Sequence, residues 1–256
     1  MSISINSIKN EFLNYDIEYI NELIEKYKFD ERKGVKNIIE SYKKKYKAFE
    51  YEKKRIDSMF IYENNLYSKG YNYIAGIDEV GRGPLAGPVV TASVILPNSC
   101  KIFGVNDSKK LSEKKRNELY NIIISEALSY SFGIVTPKEI DSINILQATY
   151  KAMKYSIENL SIKPDYILVD ALTIPNINIE QINIIKGDSK SFSIAAASII
   201  AKVKRDEIMN EYSSLYPQYH FDKNKGYGSK EHIEALKKYG ACPIHRKSFI
   251  KNIMKY

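Results

Sequence analysis

Cysteine, histidine and long apolar runs are all scarce in this chain, and each shortage removes a class of protein. The two cysteines, Cys100 and Cys242, lie far apart and form no Cys-x-x-Cys pair. That excludes a disulfide framework and a cysteine-rich zinc site, and the free thiols fit a reducing compartment. The three histidines, His220, His232 and His245, show no metal-ligand pairing with one another or with cysteine, so each is expected on the surface or in packing. The most apolar stretches, residues 89–96 and 194–201, are far too short to span a bilayer. Glu11, Asp16 and Glu18 interrupt the first twenty residues, so there is no signal-peptide core. A soluble cytoplasmic protein without a membrane partner is expected. No internal repeat and no low-complexity linker is present.

What is there is ordinary in amount but uneven in placement. The 256 residues, 44% hydrophobic and 27% charged, suit one large domain or one domain with an appendage. Lysine and arginine number 39 against 31 acids, a net charge of +8, which favours a polyanionic partner. Part of that excess follows a composition rich in Ile, Lys, Asn and Tyr throughout. The first 70 residues contain two glycines, Gly34 and the terminal Gly70, and no proline. There Leu13, Ile17, Ile20, Ile24 and Tyr27 form a helical stripe, residues 29–34 break it, and Val35, Ile38, Ile39, Tyr42, Tyr46 and Phe49 restart it. Residues 1–70 therefore read as a helical N-terminal extension of two or more helices. The lysines from Lys43 to Lys54 make either a solvated face or an auxiliary nucleic-acid surface.

From residue 71 onward the pattern is α/β. Strands are expected at 73–78, 89–96, 131–136, 166–170 and 182–186, and helices at 114–128, 146–160, 193–212 and 230–238. Ser191 and Ser193 are candidate N-caps of the third of these helices. The order predicts a mixed sheet covered by helices on its faces, with residues 71–256 as one domain that has helices at its C-terminal end.

Carboxylates mark the strand ends. Ile77-Asp78-Glu79-Val80-Gly81-Arg82-Gly83-Pro84 ends an apolar strand in two acids and then a Gly-Arg-Gly turn. Neighbouring strand residues point to opposite faces, so either a turn re-aims the second carboxylate or its backbone carbonyl serves instead. Gly81 and Gly83 permit positive φ and close backbone approach, and Arg82 offers a fork matched to phosphate. No Gly-x-Gly-x-x-Gly is formed and a strand follows, which excludes a dinucleotide fingerprint. Asp170 ends the apolar run Tyr166-Ile167-Leu168-Val169, and Asp188 follows Lys186-Gly187 one strand later. Four acids at strand ends suit two divalent cations, Mg²⁺ or Mn²⁺, acting in phosphodiester hydrolysis. Asp206 competes for the fourth place, but Lys202, Lys204 and Arg205 beside it favour an ion pair. Lys109-Lys110, Lys223, Lys225 and His245-Arg246-Lys247 add basic groups in loops, each readily explained as solvated. Tyr227, between Gly226 and Gly228, is expected to be exposed with room for a flat ring or sugar.

These motifs, with Asp107–Ser112, residues 194–206 (IAAASIIAKVKRD), Asn224–Gly228 and Pro243–Phe249, resemble bacterial ribonuclease HII, a type 2 ribonuclease H, in family order over about residues 71–250. The first 70 residues resemble the helical addition of some bacterial members. The resemblance implies an RNase H-like fold, a five-stranded mixed sheet with flanking helices. It implies a metal-dependent endonuclease that cuts RNA in RNA–DNA hybrids and nicks DNA at a single embedded ribonucleotide, leaving 5′-phosphate and 3′-hydroxyl. The catalytic and metal-binding acids would be Asp78, Glu79, Asp170 and Asp188. Gly81, Arg82 and Gly83 would grip the ribonucleotide, and Tyr227 would stack on the following sugar. Lys109 joins them as a substrate-binding candidate. A monomer is expected. The alternatives are the sister enzyme ribonuclease HIII, which the all-helical first 70 residues and Asp188 argue against, and a catalytically inactive nucleic-acid-binding module.

Overall fold

Runs of valine and isoleucine bounded by glycine and proline become the strands of one five-stranded sheet. They are β1 (Ile74–Val80), β2 (Val89–Ile95), β3 (Ser129–Val135), β4 (Tyr166–Asp170) and β5 (Glu180–Ile184), in the order β3-β2-β1-β4-β5. β2 runs antiparallel to β1 and β3, while β4 is parallel to β1 and β5. All seven residues of β2 are buried, as its unbroken apolar run requires when both sheet faces are covered. The computed structural model describes residues 3–98 and 100–254.

The helices are α1 (Ile5–Asn14), α2 (Ile20–Tyr27), α3 (Lys33–Met59), α4 (Ile61–Tyr67), α5 (Glu113–Glu126), α6 (Pro137–Glu158), α7 (Phe192–Leu215), α8 (Phe221–Asn224), α9 (Lys230–Tyr239) and α10 (Lys247–Met254). Two of them sandwich the sheet. Ile77 packs with Met153 and Ile157 of α6, whereas its neighbour Gly76 lies against the backbone of Ser193 and Ile194 in α7. Successive strand residues face opposite sides, so α6 and α7 cover opposite faces. α6 opens with a Thr136–Glu139 capping box and is kinked at Asn144, whose φ is 66° and whose Oδ1 accepts from the amides of Leu146 and Gln147. The helix expected at 146–160 is thus the second half of α6. Of the two serines offered as caps, Ser191 caps α7. No described helix is long and apolar enough to cross a membrane.

The chain divides into two compact units, Met1–Ser58 and Met59–Tyr256. In the first, Ile8, Phe12, Ile20, Leu23, Ile24, Tyr27, Val35, Ile39 and Tyr42 form the core. The expected stripe does not run as one helix. Asp16 caps a short 3₁₀ turn that separates α1 from α2, and Leu13 is left exposed. In the second unit, α4 belongs with the sheet. Leu66 packs with Ile74, Leu168, Ile184 and Ile194, Phe60 stacks on Phe192 at 4.4 Å, and Glu63 accepts from Ser191 Oγ (2.7 Å) and the Ser193 amide (2.9 Å). The sequence reading draws its boundary at residue 70, so α4 lies on the other side of the division that the packing makes.

Candidate active site

Sheet register brings the acids together. The parallel ladder between β1 and β4 pairs Ile77 with Val169, which leaves Asp78 beside Asp170 at the next step. β1 itself continues to Val80, pairing Asp78 with Ala92 and Glu79 with Thr91 of β2. The two acids therefore lie inside the strand instead of in a turn that re-aims one of them. After β5 the backbone reverses through Lys186 in the left-handed region (φ 58°), and the Gly187 amide donates to Asp170 Oδ1 at 2.7 Å. Asp188 sits in the 3₁₀ turn Gly187–Ser189 and not at a strand end, because β5 stops at Ile184.

The four acids form one electrostatic cluster. Burial, then the charges of Glu79 and Asp170, push the Asp78 carboxyl well above the usual range, against a hydrogen bond from Ser198. Burial raises Glu79, opposed by Arg82, whose Nη1 reaches Glu79 Oε1 at 3.2 Å. Burial, then Asp107 and Asp170, raise Asp188. Lys109, largely exposed, extends Nζ to 3.8 Å from Asp188 Oδ2. Burial opposes its charge, but Asp107, Asp188, Asp78 and Asp170 hold its pKa above the ordinary lysine value. Arg82 and Lys109 offset the burial of these carboxylates only in part, and Glu79 Oε2 is buried with no hydrogen-bond partner. An all-oxygen donor set short of positive charge fits Mg²⁺ or Mn²⁺. Among the described residues no three His, Cys, Asp or Glu side chains cage an ion by themselves.

The Gly-Arg-Gly turn borders the same acids through Arg82. Its two glycines differ. Gly81 is buried at φ +93°, and a Cβ there would lie 2.2 Å from Arg205 Nε and 2.7 Å from the Pro88 carbonyl. Gly83 is exposed and does not use the positive φ that a glycine permits. The nearest atom to a Cβ there is Tyr227 Cε1, at 4.0 Å. The Gly83 backbone and the half-exposed Tyr227 ring are therefore neighbours on the surface beside the acids.

Sequence reasoning missed the groups that hold this surface. Arg246, expected to be solvated, is fully buried and donates to the carbonyls of Gly81 (2.5 Å), Arg82 (2.9 Å) and Gly87 (2.8 and 2.9 Å). Arg205, also fully buried, donates to Pro88 (3.0 Å), Ala86 (3.2 Å) and Lys225 (2.9 Å) and lies 6.0 Å from the Tyr227 ring centre. Burial lowers Arg205 to about 10, and burial with Arg205 lowers Arg246 to about 9, so both stay charged at neutral pH. A signal existed for Arg205, which falls seven residues after Ser198 and four after Ala201 on the buried face of α7. Asp206 stands apart from the four acids, paired with Lys202 at 2.6 Å.

Comparison with known proteins agrees in family. Residues 75–252 match the family model described as Ribonuclease HII, and residues 4–67 match that of the Ribonuclease HII N-terminal domain. The chain is similar to the ribonuclease HII of Clostridioides difficile, with 55% identity over 251 residues and 98% of each chain covered. It is similar to the ribonuclease HII of Caldanaerobacter subterraneus subsp. tengcongensis, with 62% identity covering 80% of this chain and 86% of the other. Among solved structures, the ribonuclease H2 of Pyrococcus horikoshii superposes with a TM-score of 0.61 at 31% identity, covering 72% of this chain and 97% of that one.

Proposed function

The chain belongs to the ribonuclease HII family and is thus a ribonuclease H, a hydrolase acting on RNA–DNA hybrids; from that premise we propose that it also nicks duplex DNA at single embedded ribonucleotides. The observation that carries this reading is the continuity of the site. Arg82 links the Gly-Arg-Gly turn to Glu79 at 3.2 Å, while Gly83 on the same turn adjoins Tyr227. A 2′-hydroxyl is all that distinguishes a ribonucleotide within DNA, and a turn of bare backbone lets amide and carbonyl groups come within hydrogen-bond distance of it.

In this mechanism Asp78, Glu79, Asp170 and Asp188 are the residues that would hold two divalent cations, Mg²⁺ or Mn²⁺. When bound, such ions supply the charge that favours attack of water on phosphorus and departure of the opposite oxygen. The chain's own groups do the rest. The Gly81–Gly83 backbone grips the ribose, and Arg82 exchanges Glu79 for the scissile phosphate. Lys109 adds positive charge beside Asp188. Tyr227 packs on the next sugar, where a deoxyribose fits and a 2′-hydroxyl crowds the ring. The water oxygen joins phosphorus and the P–O3′ bond breaks, leaving 5′-phosphate and 3′-hydroxyl.

The test is a duplex carrying one ribonucleotide, incubated with each metal, with the cut located by sequencing gel. The expected cut is a single P–O3′ break on the 5′ side of the ribonucleotide, which keeps the 5′-phosphate; cleavage on its 3′ side or at scattered sites would contradict the assignment, as would no cleavage in either metal.

A further inference from the structure

One buried cluster has no part in that mechanism. His232 and His245 are 0% and 3% exposed, packed against the rings of Tyr219 and Phe221. Their Nε2 atoms lie 3.0 Å apart, so one donates and the other accepts. The opposite ends decide which. His232 Nδ1 is 2.8 Å from the carbonyl oxygen of Tyr227, and a carbonyl only accepts, so Nδ1 carries the proton. In a neutral ring its Nε2 must then accept, and His245 Nε2 must donate. That leaves His245 Nδ1 as an acceptor, matched by the Cys242 amide at 2.9 Å and Cys242 Sγ at 3.1 Å. Burial lowers both imidazoles, His245 to about 4, so the pair is neutral at pH 7. The result is a one-directional chain from Cys242 through His245 and His232 to Tyr227.

We infer that His232, oriented by His245, is a positioning residue for Tyr227 and so sets the enzyme's preference for a single ribonucleotide over a long RNA tract; this rests on the sugar-reading role proposed above for Tyr227. The ring is half exposed, and its backbone is held at three successive carbonyls. Arg205 takes the Lys225 carbonyl (2.9 Å), the Leu85 amide takes that of Gly226 (2.8 Å), and His232 Nδ1 shares that of Tyr227 with the Ser229 amide (both 2.8 Å). Of these, His232 alone grips the residue that bears the ring through a side chain.

Two measurements test this on the full chain. With only three histidines, ¹⁵N–¹H correlation of the labelled rings resolves each tautomer. The expected result at pH 7 is Nδ1–H in His232 and Nε2–H in His245; equal tautomers, or a charged ring in either, overturn the inference without any variant needing to fold. The second compares His232→Asn, which keeps a donor near the Nδ1 position, with His232→Gln, which places its amide near Nε2 and withdraws the donor from Tyr227. The ratio of single-ribonucleotide to tract cleavage should fall about fivefold in His232→Gln, the worth of one hydrogen bond, and recover in His232→Asn. Equal effects of the two variants on that ratio would show a merely structural role. Tyr227→Ala separates the two readings. If it leaves the ratio unchanged, the sugar-reading role fails and this inference with it. If it lowers the ratio while His232→Gln does not, only this inference fails.

Discussion

Replacing each glycine of the Gly-Arg-Gly turn by alanine should separate structure from function. At Gly81 an alanine must adopt φ +93°, a strain of about 1–2 kcal/mol. Its Cβ would also meet Arg205 Nε at 2.2 Å and the Pro88 carbonyl at 2.7 Å. Arg205 cannot swing aside cheaply, because it already serves the carbonyls of Pro88, Ala86 and Lys225. Such overpacking adds about 1–3 kcal/mol. The sum, roughly 2–5 kcal/mol, is a large part of a typical folding stability of about 5–15 kcal/mol. It corresponds to a melting point lowered by roughly 4–20 °C in a chain of this size. At Gly83 the nearest neighbour of an added Cβ is Tyr227 Cε1 at 4.0 Å, an ordinary contact on an exposed residue. Stability should change by no more than about 0.5 kcal/mol. The methyl group, however, points toward the tyrosine, on the surface proposed to meet the ribose, and displacing a reacting group by about an ångström costs on the order of a hundredfold in rate. Calorimetry and initial rates on a single-ribonucleotide duplex read the two effects separately. A Gly81→Ala protein that melts with the wild type would refute the packing argument. A fully active Gly83→Ala protein would show that substrate does not approach that backbone.

Asp170→Asn should abolish cleavage in either metal while leaving the melting curve close to wild type, since the amide fills the same volume; a near-normal rate at saturating metal contradicts its assignment as a ligand. His245 titrates near 6.5 when unfolded and at about 4 when folded, so the folded state binds fewer protons between those values. Its contribution, about 3 kcal/mol, is present above pH 6.5 and lost as pH falls toward 4. Because the raised carboxylates of the acidic cluster act in the opposite direction, the check is the difference in urea midpoint between wild type and His245→Gln, which should narrow on acidification; a constant difference refutes it. A chain of residues 59–256 should unfold at a higher urea concentration than one of residues 71–256, which lacks Phe60, Glu63 and Leu66, and equal midpoints would show that α4 adds nothing to the second unit. If residues 1–58 bind phosphate, the full chain should also show a steeper loss of hybrid affinity with salt than 59–256, by about one unit of slope per contact.

The site was legible in the sequence where a residue stood out against its own neighbours. Asp78 and Asp170 interrupt apolar runs, and those runs became buried strands because both sheet faces are covered. β4 matches its expected bounds, and β1 and β2 depart from theirs by two residues or fewer. Signals failed where the local pattern was ambiguous. β5 is two residues out of place because only Ile184 of its five positions is fully buried, leaving no apolar run to read. The first half of α6 went unread because Asn144 breaks the helical period. In the first unit the 3- and 4-residue steps continue across Asp16, so two helices look like one.

The braces of this surface were illegible for a different reason. An arginine is buried only when carbonyl groups converge on it, and here those groups come from remote parts of the chain. Arg246 and Gly81 are separated by 165 residues, and Arg205 reaches Ala86 across 119. Nothing next to Arg246 announces this; with His245 and Lys247 on either side it looks solvated. The same holds for the histidines. Spacing of 13 residues between His232 and His245 matches no ligand pattern, and their hydrogen bond follows from the fold of α9 and the loop before α10. Local sequence thus exposes the groups proposed to touch substrate, because chemistry demands particular residues at strand ends and turns. The groups that hold them in place depend on long-range convergence. For the same reason, changes at Arg205, Arg246 or His232 should alter cleavage without removing any atom proposed to contact the substrate.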